Sequence, residues 1–282
     1  MRKKGRKIMV LDYLGKDFSR LKNKKLFLFD MDGTICLGSK LFDGVLALIE
    51  QIKKSGGHFI FITNNSSKSV SDYIEKLKKL GLNTCEDNFF TSTHATILHF
   101  NKHYKGQKIY AQGTRSFINE LKEAGLNVTE EYDATSNAIV VAYDNELTSQ
   151  KMYTTCKMLT EVKTAKYYAT NPDWVCPVDF GSVPDCGSMC FGYEKATGRK
   201  PVFIGKPEPA MINIVMQKFG YTKEQTVVFG DRLYTDIASG SSAGVDTVLV
   251  LSGEATINDY SESTVKSTFV LQSVKDMLKL YE

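Results

Sequence analysis

Residues 26–34 read LFLFDMDGT, and this stretch decides the fold class of the chain. A short apolar run that ends at acidic residues and the turn former Gly33 is typical of a buried strand in a parallel sheet. Residues 58–65 repeat the pattern as HFIFITNN, after a helical stretch at 45–54. Strand, helix and strand in this order predict an α/β protein with a parallel sheet, whose polar strand ends meet at one edge.

The same alternation returns in the last third of the chain, with predicted strands at 202–204, 226–229 and 246–251. The stretch between the two parts, residues 92–200, is too long for a structureless loop. It has its own predicted strands and helices, near 108–111, 115–124, 138–142, 150–162 and 166–169. We therefore predict a discontinuous core of residues 1–91 and 201–282 and an inserted α/β cap domain at 92–200.

The composition is that of a globular protein, with 42% hydrophobic and 24% charged residues. A net charge of +4 is small for 282 residues, so nucleic-acid binding is poorly supported, and the basic start at residues 2–7 has no assigned role. No apolar window suits a signal peptide or a membrane helix, which predicts a chain without a membrane partner. Six scattered cysteines predict reduced thiols and a cytoplasmic location.

Asp30 and Asp32 directly follow the first predicted strand. Alternation along an extended chain turns residues two apart toward the same side, so two carboxylates face one site. Asp30 can attack phosphorus as a covalent nucleophile, while Asp32 protonates the leaving oxygen and later activates water. The alternative is a pair of turn or helix-capping aspartates before Gly33, which the preceding buried strand disfavours.

Phosphate contacts are predicted at the ends of two further strands. Thr63 and Asn64 lie where the second strand ends and a helix begins, and free backbone amides there favour an anion. Capping of that helix by a serine of the TNNSS run is the alternative. Lys206 follows the predicted core strand at 202–204 and can neutralise phosphate and nucleophile, unless it is one of the basic residues that lie in solvent.

Asp231 and Asp236 follow the predicted strand at 226–229 and bring two more acids to the same edge. Hard cations prefer carboxylate, carbonyl and water oxygens. We therefore predict a Mg²⁺ site formed by Asp30, Asp231 and the carbonyl of Asp32. Asp236 is either a further ligand or the N-cap of the following helix.

Four segments, FLFDMDGT, FITNNSS, IGKPEP and VVFGDRLYTDI, resemble in this order the signature motifs of the haloacid dehalogenase superfamily of phosphohydrolases. The TNNSS run, the long insert and ATNPD at residues 169–173 resemble its NagD-like, 4-nitrophenylphosphatase-like branch. The resemblance covers residues 24–280 and implies a Rossmann-like three-layer core, a mobile cap, Mg²⁺ and hydrolysis of small phosphate monoesters such as sugar phosphates or nucleotides. The resemblance implies that Asp30 is the nucleophile and Asp32 the general acid/base. It implies that Thr63 and Asn64 bind phosphate, that Lys206 stabilises charge and that Asp231 is a metal ligand.

In this branch the cap presents a substrate-selecting loop, which corresponds here to residues 171–188. Five residues of the loop are candidate substrate contacts: Asn171, Asp173, Trp174, Asp185 and Gly187. Relatives often place Gly-Ala-Gly after the proline of this loop, whereas this chain has Asp-Cys-Gly at residues 185–187. The size and charge of the pocket therefore depart from the pattern. Trp174 either stacks on a base or sugar or packs against the cap loop.

Two other functions stay open at this point. Phosphoryl transfer to an acceptor other than water would use the same phosphoaspartate, and a phospho-ligand-binding regulator would keep the fold without turnover. The predicted partner is a small phosphorylated metabolite, with a homodimer through the cap also considered. His99 and His103 have helical i,i+4 spacing but no accompanying acid, so no zinc site is predicted.

Overall fold

The apolar run Leu26–Phe29 lies in the interior of a six-stranded sheet in which all neighbouring strands are parallel. A strand paired on both edges and covered on both faces needs apolar side chains throughout, as this run has. The structure, a computed structural model, describes residues 9–282, and the basic stretch at residues 2–7 lies outside them. In spatial order the strands are Phe269–Leu271, Asp246–Val250, Thr226–Gly230, Leu26–Phe29, His58–Thr63 and Phe89–Thr91.

Side chains of the first strand alternate between two hydrophobic cores, one on each face of the sheet. Phe27 and Phe29 join one core, and the two leucines of the strand join the other. Helices Val45–Lys54 and Val70–Lys79 bury apolar residues in the first core, and helix Ala210–Phe219 does so in the second. The predicted three-layer, Rossmann-like α/β core is therefore confirmed.

The insert builds a second layered unit on a five-stranded parallel sheet. In spatial order its strands are Val202–Phe203, Lys166–Ala169, Ala138–Val141, Lys108–Gln112 and Asn127–Thr129. Two helices pack on each face, Ser92–His103 with Arg115–Glu123 on one and Ser149–Glu161 with Cys186–Thr197 on the other. The predicted α/β character of the insert is confirmed.

One predicted strand belongs to the other sheet. Val202–Phe203 pairs with Lys166–Ala169 at the edge of the five-stranded sheet, so its prediction as a core strand was wrong. Backbone hydrogen bonds from Ile204 to Ala169 and from Gly205 to Thr170 continue this pairing. A strand of two residues carries no pattern that identifies its partner, which is why sequence periodicity misplaced it. The division of the chain at residue 200 stays a prediction.

The predicted substrate-selecting loop contains regular structure. Val175–Val178 and Gly181–Pro184 form an antiparallel hairpin, and helix Cys186–Thr197 starts directly after it. Among the described residues, no helix has both the length and the hydrophobicity needed to cross a bilayer. The six cysteines are free thiols. The remaining elements are a short hairpin and short helical segments at Cys36–Leu37, Lys40–Leu41, Ser19–Asn23, Glu86–Asn88, Leu233–Ile237, Ala238–Ala243, Ile257–Glu262 and Val274–Leu280.

Removal of a central aromatic ring should destabilise the core strongly. The rings of Phe29 and Phe229 stack with their centroids 4.7 Å apart, and both side chains are fully buried. We expect Phe229→Ala to lower the free energy of unfolding by about 3–5 kcal/mol, measured by urea denaturation. Phe180→Ala is the control, because that side chain is 83% exposed, and it should change stability by less than about 0.5 kcal/mol. Equal losses in the two variants would contradict this description of the core.

Candidate active site

The candidate site lies at the carboxyl ends of three neighbouring strands. Asp30 follows the first strand, Thr63 ends the strand His58–Thr63, and Asp231 follows the strand Thr226–Gly230. Parallel strands bring such ends to one edge of a sheet. Gly33 permits the close approach of two loops there, because its φ is +91° and an added Cβ would lie 2.3 Å from Oδ2 of Asp231.

Lys206 is the buried cation of the site. Its Nζ lies 2.6 Å from Oδ1 of Asp30 and 2.6 Å from Oδ1 of Asp236, and it donates to the Ile62 carbonyl at 2.9 Å. The residue is only 3% exposed, so the alternative of a lysine in solvent does not hold. Although burial favours the neutral amine, the carboxylates of Asp236 and Asp30 raise the pKa of Lys206 above its ordinary value.

Asn64 holds the backbone of Lys206 in place. Its Oδ1 accepts from the Lys206 backbone N–H at 2.9 Å, and its Nδ2 donates to the Lys206 carbonyl at 3.0 Å. Gly205 allows this approach, because an added Cβ there would lie 2.5 Å from Oδ1 of Asn64. With its side-chain amide engaged in this way, Asn64 can offer a phosphate its backbone N–H. The Thr63 hydroxyl lies buried beside it and accepts from the Asn65 backbone N–H at 3.1 Å.

Three carboxylates lie around this lysine. One oxygen from each of Asp30, Asp231 and Asp236 lies within 4.8 Å of the others. Burial, followed by the charge of Asp236, raises the pKa of Asp30 well above its ordinary value and that of Asp231 to about 7. Three acids facing one ammonium leave excess negative charge in a buried place, and their oxygen ligands are those that Mg²⁺ prefers. The donor set therefore fits a divalent cation.

Asp231 is held in position by two further hydrogen bonds. Its Oδ1 accepts from the Thr34 hydroxyl at 3.2 Å, and its Oδ2 accepts from the Glu254 backbone N–H at 2.8 Å. Asp32 does not place its carboxylate in the group of three acids, and its predicted metal ligand is the backbone carbonyl.

Asp32 lies where the site opens to a wider cavity. Its Oδ1 is 3.7 Å from Nζ of Lys76, which lies on helix Val70–Lys79 and was not predicted as a site residue. The carboxylate lines both the pocket with Asp30 and Lys206 and a neighbouring cavity of about 390 Å³. A leaving group attached to a phosphate near Asp30 can therefore lie beside Asp32.

The cap supplies one wall of the pocket. Asp173 and Asp185, 2% and 3% exposed, line the same pocket as Asp30 and Lys206. Oδ2 of Asp173 lies 3.3 Å from a guanidinium nitrogen of Arg232, whereas its Oδ1 has no hydrogen-bond partner among the described residues. Burial raises the pKa of Asp173 against the opposing charge of Arg232. Two predicted cap residues thus lie beside the predicted core residues.

The other three predicted cap residues have different surroundings. Asn171 donates from Nδ2 to the Asn64 carbonyl at 2.7 Å and so connects the cap to the core. Trp174 is half-exposed and packs edge-to-face on Phe191 with 6.0 Å between ring centroids, and it is not among the residues that line the pocket. Gly187 permits close packing, because an added Cβ would lie 2.2 Å from the Pro172 carbonyl oxygen.

Comparison with known proteins relates this site to a large family. Residues 27–127 match the family model described as haloacid dehalogenase-like hydrolase, and residues 203–277 match one described as HAD-hydrolase-like. Phosphoglycolate phosphatase 2 of Arabidopsis thaliana is 32% identical, with 91% of this chain and 93% of the relative covered. The ribonucleotide monophosphatase NagD of Escherichia coli K12 is 30% identical, with 88% and 96% covered. The chain belongs to the haloacid dehalogenase-like hydrolases.

The solved structures place the chain in the NagD-like branch of this family. The 4-nitrophenylphosphatase of Thermotoga maritima superposes with a TM-score of 0.85 at 36% identity, covering 92% of this chain and 98% of that one. The predicted resemblance is therefore confirmed. Arg232 and Lys76 were missed as site residues of this haloacid dehalogenase-like hydrolase. Arg232 adjoins Asp231 in the GDR sequence, which is a usable signal, whereas only the folded chain brings Lys76 beside Asp32.

Stability should respond to the Asp185 carboxyl in a pH-dependent way. Burial, followed by the charge of Asp173, raises the pKa of Asp185 to about 8. The ordinary value is about 3.9, so folding favours the protonated form between these values and stability falls as pH rises through this window. Asp185→Asn removes this loss while keeping a side chain that can cap the helix. Its melting temperature relative to wild type should therefore rise from about pH 5 to about pH 9.

The matched control is Glu194→Gln, because Glu194 lies on helix Cys186–Thr197 but outside the pocket. The difference in melting temperature between Glu194→Gln and wild type should change little from about pH 5 to about pH 9. If the difference in melting temperature between Asp185→Asn and wild type did not change with pH, the raised pKa of this carboxyl would be contradicted.

Proposed function

We propose that this chain is a Mg²⁺-dependent phosphatase that hydrolyses small phosphate monoesters through an aspartyl-phosphate on Asp30. The observation that carries the proposal is the buried Lys206 ammonium between Asp30 and Asp236, with Asp231 alongside, at the ends of parallel strands. Relatives named phosphoglycolate phosphatase, ribonucleotide monophosphatase and 4-nitrophenylphosphatase support hydrolysis of phosphate esters.

In the first step a carboxylate oxygen of Asp30 attacks phosphorus, and the bond between phosphorus and the ester oxygen breaks. Asp32 gives its proton to the leaving oxygen, which departs as an alcohol. Asp32 suits this task because its carboxylate lines the same pocket as Asp30 and lies at the opening toward the wider cavity. The Lys206 ammonium and the backbone N–H groups after Thr63 offset the charge on the transferring phosphoryl group.

In the second step Asp32 accepts a proton from water, and the water oxygen attacks phosphorus. The bond between phosphorus and the Asp30 oxygen breaks, which restores both carboxyl groups and releases phosphate. Asp30, Asp231, the Asp32 carbonyl and Asp236 would hold Mg²⁺, which supplies charge neutralisation and polarisation of phosphoryl oxygens when bound. Lys206 keeps Asp30 and Asp236 in place through direct contacts at 2.6 Å.

We further propose that residues 1–91 and 201–282 carry the chemistry and that the cap at 92–200 selects the substrate. The cap contributes Asp173 and Asp185 to the pocket, and its closure would exclude bulk water and seat the leaving group. Sugar phosphates and nucleotides are the proposed substrate classes. A cytoplasmic location and a homodimer stay predictions.

Analysis of the reaction products distinguishes hydrolysis from two alternative functions. A phosphotransferase would form the same phosphoaspartate on Asp30 but pass the phosphoryl group to an added alcohol, so less inorganic phosphate than free alcohol would appear. A non-catalytic regulator would bind a phosphate ester without turnover in Mg²⁺. The full set of buried acids with Lys206 favours the enzyme.

Replacement of the nucleophile should abolish turnover. We expect Asp30→Asn to reduce the rate of phosphate release from 4-nitrophenyl phosphate by at least about 10⁴-fold, because the amide cannot form the covalent intermediate. Wild-type activity should depend on Mg²⁺ and disappear in EDTA. Asp43→Asn is the control, since its carboxylate is highly exposed, and it should keep wild-type activity. Turnover by Asp30→Asn at the wild-type rate would eliminate the mechanism.

Loss of the general acid should depend on the leaving group. Asp32→Asn should slow phosphoenzyme formation by about 10²–10⁴-fold with alkyl esters such as glucose 6-phosphate, which need a proton on the leaving oxygen. The loss should be much smaller with 4-nitrophenyl phosphate, because 4-nitrophenolate leaves without protonation. Single-turnover measurements isolate this step from water attack. Equal losses with both substrates would contradict the assignment of Asp32 as general acid.

A further inference from the structure

The carboxylates that line the pocket differ in their ion pairing. Four of the five have a cationic partner, namely Lys206 for Asp30 and Asp236, Lys76 for Asp32, and Arg232 for Asp173. Asp185 is the exception. Among the described residues, no lysine, arginine or histidine nitrogen forms an ion pair with its carboxylate within 4.0 Å.

Asp185 is nonetheless buried in the pocket wall. Its Oδ1 accepts from the Cys186 backbone N–H at 2.5 Å as the N-cap of helix Cys186–Thr197. Beside it Asp173 is 2% exposed and has an oxygen, Oδ1, without a hydrogen-bond partner. Buried acceptors without donors and buried carboxylates without an ion-pair partner are costly, so a ligand that supplies a donor and a positive charge would stabilise this wall.

We infer that Asp185 and Asp173 form a subsite for a primary ammonium group on the leaving group of the substrate. The inference rests on the proposed phosphatase function, whose nucleophile Asp30 and general acid Asp32 line the same pocket. An ammonium brings three donors and one positive charge, which match the open Asp173 oxygen and the Asp185 carboxyl that has no ion-pair partner. The substrate class is therefore an amine-bearing phosphate monoester.

A neutral or acidic leaving group fits this wall less well. A hydroxyl can donate to Asp173 but brings no positive charge to Asp185. A carboxylate adds a further negative charge beside two buried acids, which like-charge repulsion disfavours. Lys76, on the side of the wider cavity, is already paired with Asp32.

The test is a series of three esters that differ mainly in the charge of one terminal group. Phosphoethanolamine ends in an ammonium, 2-hydroxyethyl phosphate in a hydroxyl and phosphoglycolate in a carboxylate. We expect kcat/KM of the wild-type enzyme with Mg²⁺ to fall in this order, with at least about a tenfold preference for the ammonium over the hydroxyl. Glucosamine 6-phosphate against glucose 6-phosphate gives the same comparison for a larger leaving group.

Asp185→Asn should bring the ratio of kcat/KM for phosphoethanolamine over 2-hydroxyethyl phosphate close to one, because the amide has no negative charge. Glu194→Gln, which removes a carboxylate of the same helix outside the pocket, should leave the ratio unchanged. Circular dichroism and the rate with 4-nitrophenyl phosphate report whether each variant is folded. Where Asp185→Asn fails to fold, the wild-type series alone decides.

The outcomes distinguish this inference from the proposed function. Hydrolysis of 4-nitrophenyl phosphate together with a wild-type ratio at or below one, or with an unchanged ratio in Asp185→Asn, overturns the ammonium subsite and leaves the phosphatase standing. Absence of Mg²⁺-dependent release from every ester overturns the phosphatase, and the subsite falls with it.

Discussion

The contact of the Lys206 ammonium with Asp30 and Asp236 is the interaction on which the site depends. All three donors of the ammonium are used, since the third meets the Ile62 carbonyl. Removal of one partner from a buried ion pair costs about 3–5 kcal/mol, because the remaining charge stays buried and uncompensated. The lysine therefore holds Asp30 and Asp236 together, while the acids keep an excess of negative charge. Because of this excess negative charge, a divalent cation fits the site beside the lysine and the acids.

The same lysine also joins the two layered units. Lys206 lies just after Val202–Phe203, the edge strand of the five-stranded sheet, yet its side chain enters the edge of the six-stranded one. From the core side, the Asn64 side chain forms hydrogen bonds with the Lys206 backbone. From the cap side, Asn171 donates to the Asn64 carbonyl. Each such hydrogen bond contributes only about 1 kcal/mol, and together they help to position the cap against the core.

Sequence alone predicted the elements with strong periodicity and the residues with local signals. The buried run Leu26–Phe29 and the acids after it fall into this group, as does helix Val45–Lys54. It failed where the information is not local. Val202–Phe203 is too short to show its partner sheet, and helix Cys186–Thr197 is rich in residues with weak helical preference. Lys76 became a neighbour of Asp32 only through folding, because nothing in its own helix marks it apart from other surface lysines.

Helix capping alone is not a sufficient explanation for Asp185. An aspartate at an N-cap contributes about 1 kcal/mol, and in most helices it does so at the surface, where its charge stays hydrated. Here the same residue is 3% exposed, and the effective cost of burying an unpaired carboxylate is several kcal/mol. A serine would cap the helix without that cost, whereas burial and the charge of Asp173 raise the pKa of the Asp185 carboxyl to about 8. The capped helix positions the carboxyl, and the proposed ammonium would offset the cost of burying its charged form.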